Sequence, residues 1–146
     1  MSNKLSGRNS YHDKKTRNRR VVLRIFLGAA FFAHGLAKFQ GGIGNTAAFF
    51  ESLGLPGFAA YIVATIELIG GAAMILGIGT RVIACLFVLI MAGAIFKVKL
   101  AAGFLGSNQS PGYEIDLALM IISVYFIIGN RSSLALDNLI FRSKQQ

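Results

Sequence analysis

The sequence has 146 residues, of which 54% are hydrophobic and only 14% are charged. A soluble domain of this length needs a larger polar surface, so the composition excludes an ordinary soluble protein. The charge is also segregated, because seven of the 15 basic residues precede Val21. The chain is therefore predicted to be a basic tail joined to a membrane domain.

The tail over residues 1–20 is polar and has no apolar periodicity, so it is predicted to be disordered. Its predicted partner is the anionic inner leaflet of the membrane. Nucleic acid is not a predicted partner, since Tyr11 is the only aromatic residue of the tail. The single cysteine, Cys85, excludes an internal disulfide, and with only two histidines no metal site is predicted.

Four apolar runs are close to or longer than the roughly 20 residues that a membrane-spanning helix needs. They cover residues 21–39, 57–79, 82–105 and 113–129. The first run follows basic residues, as a signal peptide does, but His34 and Lys38 interrupt it and no small-x-small cleavage site follows. Residues 40–56 contain a helix-start signal at Asn45 and a Gly/Pro stop. They predict a short helix at the outer interface, with an ordinary loop as the alternative.

The fold class is therefore an all-α membrane protein: a four-transmembrane-helix bundle with a short outer interfacial helix. Lys and Arg residues near helix ends favour the cytoplasmic side. The tail, Arg81, Arg131, Arg142 and Lys144 then lie inside, whereas the opposite loops carry Glu51 as their only charge. This places both termini in the cytoplasm and the protein in the cell membrane. The membrane domain is assigned to residues 21–141 and a C-terminal tail to 142–146.

Glu67 lies near the middle of the second run. A carboxylate at the centre of a spanning helix costs roughly 2.5 kcal/mol or more, so it needs a partner, water or a proton. Gly70 and Gly71 share its helix face and allow a neighbouring backbone to come close. Glu67 is therefore either half of a structural ion pair or a working group.

Further polar residues are predicted to meet above Glu67. Arg24 and Lys38 share one face of the first helix, with His34 at the edge of that face. Alternating helix directions place the following residues at a similar depth in the outer half: His34, Lys38, Lys97, Glu114 and Asp116. Arg24 also fits an interface anchor, and the two acids also fit helix caps. The predicted cluster suits a ligand site, a proton relay or a purely structural network.

The order and spacing of these residues resemble the DoxX family of small four-helix membrane proteins. The resemblance covers about residues 21–140 and omits the tail. The matching segments are Arg24 with His34-Gly-x-x-Lys38-Phe, Glu67-Leu-Ile-Gly-Gly through Thr80-Arg81, Met91-x-x-Ala94, Gly112-Tyr-Glu114, and Leu134-Ala-Leu-Asp137. Ala135 stands where the closing motif often has Ser, and Gly129-Asn-Arg-Ser-Ser replaces a more usual Gly-Pro-Gly.

The resemblance implies an oxidoreductase, because the family takes its name from a subunit of a thiosulfate:quinone oxidoreductase. Some members resemble proteins linked to quinone or thiol stress. The leading hypothesis is a bacterial plasma-membrane, quinone-linked oxidoreductase or a subunit of one. The catalytic candidates are Glu67, His34 and Glu114, and the substrate-binding candidates are Lys38, Arg24 and Lys97. A quinone is the cofactor that this implies, with electrons supplied by a redox partner protein.

Two other classes of function stay open. A non-enzymatic scaffold or assembly factor would use the polar core to fix the register of its helices. A transporter of protons or small solutes would also place Glu, His and Lys inside the membrane, but the internal repeat symmetry typical of transporters is not evident in the sequence.

Overall fold

The computed structural model describes residues 3–107 and 110–129, with side chains from Thr16 onward. Within these residues the fold is all-α apart from one two-stranded hairpin. The elements are α1 (Asn3–Gln40), α2 (Ile43–Ser52), α3 (Phe58–Leu76), α4 (Thr80–Ala94), β1 (Gly106–Ser107), β2 (Ser110–Pro111) and α5 (Glu114–Ile128). Helix α4 continues as a π-helical turn, Ile95–Lys99, and a 3-10 turn, Leu100–Ala102.

The long helices form an antiparallel bundle with two main seams, the α1–α3 seam and the α4–α5 seam. Contacts between α3 and α4 and a smaller contact between α1 and α5 join the two halves. We call the end of the bundle where α1 and α4 finish the upper end, and the opposite end the lower end. Helix α2 packs mainly on α3, whose first residue, Phe58, lies at the upper end.

Glycines bring the two backbones of the α1–α3 seam into direct contact. A Cβ atom at Gly35 would lie 2.5 Å from the backbone nitrogen of Leu68, and one at Gly71 would lie 2.5 Å from that of Phe32. Small residues allow this close approach, which is how helices associate where lipid removes the hydrophobic driving force. The glycines that the sequence assigns to packing therefore do pack.

One aromatic pair connects the two halves of the bundle. Phe31 on α1 and Phe87 on α4 are both fully buried, and their rings stack with centroids 3.6 Å apart. Gly70 leaves the space that Phe87 occupies beside α3, because a Cβ there would lie 3.2 Å from the ring. The surrounding core consists of Leu27, Met74, Ala84, Met91, Leu119 and Phe126.

Three helical segments in the described part of the chain are long and apolar enough to cross a membrane: Thr16–Gln40, Phe58–Leu76 and Thr80–Ala102. They match the first three predicted spans. The fourth predicted span corresponds to α5, whose 15 residues extend about 22 Å, less than the hydrocarbon thickness of about 30 Å. The all-α prediction is confirmed, whereas the fourth crossing and the interfacial position of α2 stay predictions.

The structure differs from the sequence predictions at three local points. The tail predicted to be disordered is helical from Asn3, because extending an existing helix avoids the cost of nucleation. Helix α2 begins at Ile43, so Asn45 lies in its first turn and donates its side-chain amide to the carbonyl of Gly41. The β1–β2 hairpin was not predicted. Residues 134–137 of the closing motif and the 142–146 tail lie outside the described residues.

Candidate functional site

A buried ion pair joins α1 to α3 in the upper half of the bundle. The ammonium group of Lys38 donates to Oε2 of Glu67 across 2.5 Å. The side chain of Glu67 is only 3% exposed, and that of Lys38 is 25% exposed. The predicted need of Glu67 for a partner is met by Lys38.

The position of this pair follows from the packing around α3. Gly35 contacts the backbone at Ala64 and Leu68, on either side of Glu67 in sequence, while Gly70 contacts Phe87 of α4. Glu67 is therefore held between the glycine contact with α1 and the aromatic contact with α4. A carboxylate in such surroundings is stabilised by its cation, because little water reaches it.

A second ion pair joins α4 to α5. The ammonium group of Lys99 donates to Oδ2 of Asp116 across 2.6 Å, with the two side chains 25% and 10% exposed. Asp116 lies in the first turn of α5, where a negative charge is also favoured by the helix dipole. The predicted capping role of Asp116 is compatible with this ion pair.

The π-helical turn explains why Lys99 and not Lys97 reaches α5. Buried positions on α4 follow the series Ala84, Phe87, Met91, Ile95, and a regular helix would next bring position 98 inward. The π turn over Ile95–Lys99 adds a residue to that turn, so Lys99 faces α5 while Lys97 is exposed. The sequence prediction of Lys97 as a binding residue did not anticipate this shift.

The two ion pairs lie at different depths. Lys99 is twelve residues beyond Phe87, or about 18 Å along the helix, whereas Lys38 is seven residues beyond its stacking partner Phe31, or about 10 Å. Among the described residues the structure thus forms two separate pairs, one on each seam, where the sequence predicts a single cluster. The pair on the α1–α3 seam is the deeper one.

Glu114 lies beside the hairpin at the upper end. Its Oε2 atom is buried and has no hydrogen-bond partner among the described residues. A Cβ on Gly112 would lie 2.5 Å from this oxygen and would clash with the backbone carbonyl of Phe104, so only glycine fits at this position. The backbone N–H of Glu114 donates to the carbonyl of Phe104, and the first turn of α5 favours the charge of Glu114.

The other predicted site residues do not join the buried pair. His34 is exposed on the perimeter of α1, and Lys97 is exposed on the π turn. Arg24 is 4% exposed but lies in the lower half, where its guanidinium donates to the carbonyl of Ile75 across 3.4 Å. Arg24 is thus about four turns below Lys38 on α1.

Several arginines cluster at the lower end and form hydrogen bonds to groups at the ends of helices. Nε of Arg20 donates to the hydroxyl of Tyr125 across 3.0 Å, and its guanidinium lies over that ring, 5.8 Å from the centroid. Arg81 donates to the carbonyl of Gly129 across 3.1 Å. Arg24 likewise bonds the last turn of α3. Cations are favourable at helix C-termini, so these arginines stabilise helix ends. The sequence predicted topological roles for Arg20 and Arg81 and a substrate-binding or anchoring role for Arg24.

Comparison with known proteins places this architecture in a family. The sequence model of the family described as DoxX matches residues 20–100. The chain is 44% identical over 125 residues to a Bacillus subtilis (strain 168) protein named "Putative oxidoreductase CatD", covering 86% of this chain and 89% of that protein. It is 30% identical over 131 residues to an uncharacterized membrane protein of Mycobacterium tuberculosis, covering 80% of this chain and 78% of the relative.

A third relative, an uncharacterized protein of Haemophilus influenzae, is 32% identical over 130 residues, covering 84% of this chain and 90% of its own length. No solved structure matches this chain. The matched region from residue 20 to residue 100 contains both members of the buried pair, Lys38 and Glu67.

Proposed function

This chain belongs to the DoxX family of membrane proteins, and from that premise we propose that it is a quinone-binding component of a membrane oxidoreductase. The observation that carries the proposal is the buried Lys38–Glu67 pair in the upper half of the α1–α3 seam. The similarity to a relative named as an oxidoreductase supports the reaction class.

The chemistry of the pair suits a quinone. A quinone head is a flat, apolar ring with two carbonyl acceptors, and ligand sites of this kind are mostly apolar with a few placed polar groups. Lys38, a quarter exposed, supplies an ammonium donor for one carbonyl. Glu67 supplies a carboxylate that holds this ammonium in place. The ammonium passes a proton to the reduced oxygen, and the Lys38–Glu67 pair is then reprotonated from the aqueous side.

Reduction of a quinone to a quinol consumes two electrons and two protons. In this proposal a partner redox protein supplies the electrons, while protons reach the site through carboxylates of this chain. The Lys38–Glu67 pair delivers one of the two protons to one quinone oxygen, and the second proton reaches the other oxygen by way of Glu114. Glu114, whose buried Oε2 lies next to the hairpin at the upper end, relays protons from the aqueous side. Lys97 and Arg24 do not belong to this binding site, because Lys97 is exposed on the π turn and Arg24 lies in the lower half of the bundle.

The proposed topology has four spans with both termini in the cytoplasm of a bacterial cell. The arginines of the lower end, including Arg20 and Arg81, then lie on the inner side, as basic residues near helix ends do. The basic tail lies against anionic headgroups of the inner leaflet. Helix α2 lies at the outer interface, where the aromatic ring of Phe49 is 46% exposed. The proposed physiological setting is quinone or thiol stress, as the family resemblance implies.

The experiment is a quinone titration of the purified chain and of Glu67→Gln, with thermal unfolding measured in parallel. We expect the wild-type chain to bind quinone and the variant to lose at least tenfold in affinity while it stays folded. The Lys99→Gln variant is the matched control, because it removes the other ion pair and should bind quinone normally.

A different result selects another function. Absence of quinone binding by the wild-type chain, together with a large loss of thermal stability in Glu67→Gln, would contradict the proposal and favour a scaffold whose ion pair fixes helix register. Proton flux into liposomes that depends on Glu67 would instead favour a transporter.

A further inference from the structure

His34 is exposed although it lies within the apolar part of α1. None of the described residues donates a hydrogen bond to its ring or accepts one from it. In a spanning helix an exposed side chain faces hydrocarbon, and a polar group there without a partner is costly. Lysine reaches the interface by extending its long side chain, but the imidazole is too short to do so. The position therefore calls for a polar partner that approaches from the side.

The neighbours of His34 along α1 show where such a partner would enter. Ala30, one turn below on the same side of the helix, packs against the buried core. Lys38, one turn above, is a quarter exposed and bonded to Glu67. His34 is thus an exposed position between two partly covered ones, one helical turn from the ion-paired Lys38.

Helix α2 stands at the upper end of the α1–α3 seam. Helix α2 packs on α3 and contacts α1, and the carboxylate side chain of Glu67 is 3% exposed. The perimeter next to His34 carries the small side chains of Ala33 and Ala37, both exposed. Small side chains leave room for a ligand that stays partly in the bilayer.

We propose that His34 lines a lateral opening through which a lipid-tailed quinone enters from the bilayer. This inference rests on the proposed function, since it names the substrate class and the route for the same site. The head ring lies between His34 and Lys38, whose Cβ atoms are about 5–6 Å apart as an i, i+4 pair. The imidazole and the ammonium group each donate to one carbonyl, and the isoprenoid tail remains in the hydrocarbon.

The test measures binding of quinones that share one head ring and carry no tail, two isoprenoid units or four. The full-length chain is reconstituted in liposomes, and binding is followed by quenching of its tyrosine fluorescence, since the chain has four tyrosines and no tryptophan. Affinities are expressed as mole fraction of quinone in the lipid phase. Partitioning of the tail into the bilayer then does not raise the apparent affinity.

We expect the four-unit quinone to bind more tightly than the tail-less ring on this scale. We expect His34→Phe, which blocks the opening and removes the donor, to weaken tailed-quinone binding roughly tenfold, the loss typical of one hydrogen bond plus steric exclusion. His34→Gln keeps a donor and should retain most of the affinity. The matched control, Ala29→Phe, adds the same bulk at an exposed position of α1 more than one turn below His34 and should bind like wild type.

The outcomes separate the two proposals. Equal affinity for tail-less and tailed quinones, with His34→Phe unchanged, would overturn the lateral opening and leave the Lys38–Glu67 quinone site standing. Loss of binding in Ala29→Phe to the same extent as in His34→Phe would also overturn it, because the effect would then follow bulk at any lipid-facing position. Failure of the folded wild-type chain to bind any of the three quinones would overturn both.

Discussion

The two seams of the bundle each contain one lysine–carboxylate pair, but they are built differently. In the α1–α3 seam, glycines bring two regular helices into backbone contact around Lys38 and Glu67. In the α4–α5 seam, a π-helical turn brings Lys99 to the first turn of α5. The first pair is deep and fixed by neighbouring backbone, whereas the second lies closer to the helix ends.

This difference indicates which pair is suited to chemistry. Asp116 is stabilised by the dipole of α5 as well as by Lys99, so its charge does not depend on a single partner. Glu67 lies in the middle of α3, far from either helix end, and Lys38 is its only ion-pair partner among the described residues. A ligand that binds the ammonium group of Lys38 therefore changes the surroundings of the Glu67 carboxylate directly.

The largest expected effect comes from removing one lysine at a time. Lys38→Met leaves the buried carboxylate of Glu67 without its cation, and we expect a loss of about 3–5 kcal/mol in the free energy of unfolding. Lys99→Met leaves Asp116 in a helix first turn and should cost only about 1–2 kcal/mol. Unfolding by SDS in mixed micelles, followed by far-UV circular dichroism, measures both.

The double variant Lys38→Met, Glu67→Leu is the control for the first value. It removes both charges and should recover most of the lost stability, since an apolar pair of similar volume often replaces a buried ion pair without cost. Equal losses for the two single lysine variants would contradict the distinction between the seams.

The glycine contact is the next feature to test. Gly71→Leu places a side chain where a Cβ would already lie 2.5 Å from the backbone of Phe32, so we expect about 2–3 kcal/mol of destabilisation. Gly93→Leu is the matched control on α4, because a Cβ there meets nothing within 4 Å. It should be neutral or stabilising by up to about 1 kcal/mol, since glycine is a poor helix former. The same SDS titration gives both signs.

A smaller effect is expected where the two halves of the bundle meet. Phe87→Leu removes the stacking of Phe87 on Phe31 but keeps most of the apolar volume, so we expect a loss of about 1.5 kcal/mol. Leu89→Ala, at a position that is 69% exposed on the same helix, should cost less than about 0.5 kcal/mol. A Phe87→Leu variant as stable as wild type would show that the halves are held by other contacts.

The sequence predicted the parts of this structure that follow from length and periodicity. Glu67 had to find a partner, and the alternation of helix directions placed Lys38 within its reach. The π turn was beyond such reasoning, because a single extra residue in one helical turn leaves no compositional signal, and it decided between Lys97 and Lys99. His34 was placed at the edge of the inward face by periodicity, and whether an edge position is covered depends on how far neighbouring helices extend.

The smallest expected effect is at the lower end. There the arginines donate hydrogen bonds to groups at the ends of helices and, within the described part of the chain, do not pair with carboxylates. Arg81 is exposed, and its guanidinium donates to the carbonyl of Gly129, just beyond the last residue of α5. Arg81→Gln keeps a hydrogen-bond donor and loses the cation at a helix C-terminus, which is worth about 0.5 kcal/mol. We expect the free energy of unfolding in SDS to fall by that amount at low salt, and the loss to shrink at high salt, because an exposed charge is screened.

Arg81→Lys, which keeps the charge, should behave like wild type. A salt-independent loss shared by both variants would mean that the geometry of the guanidinium, and not its charge, holds α5 to the turn between α3 and α4.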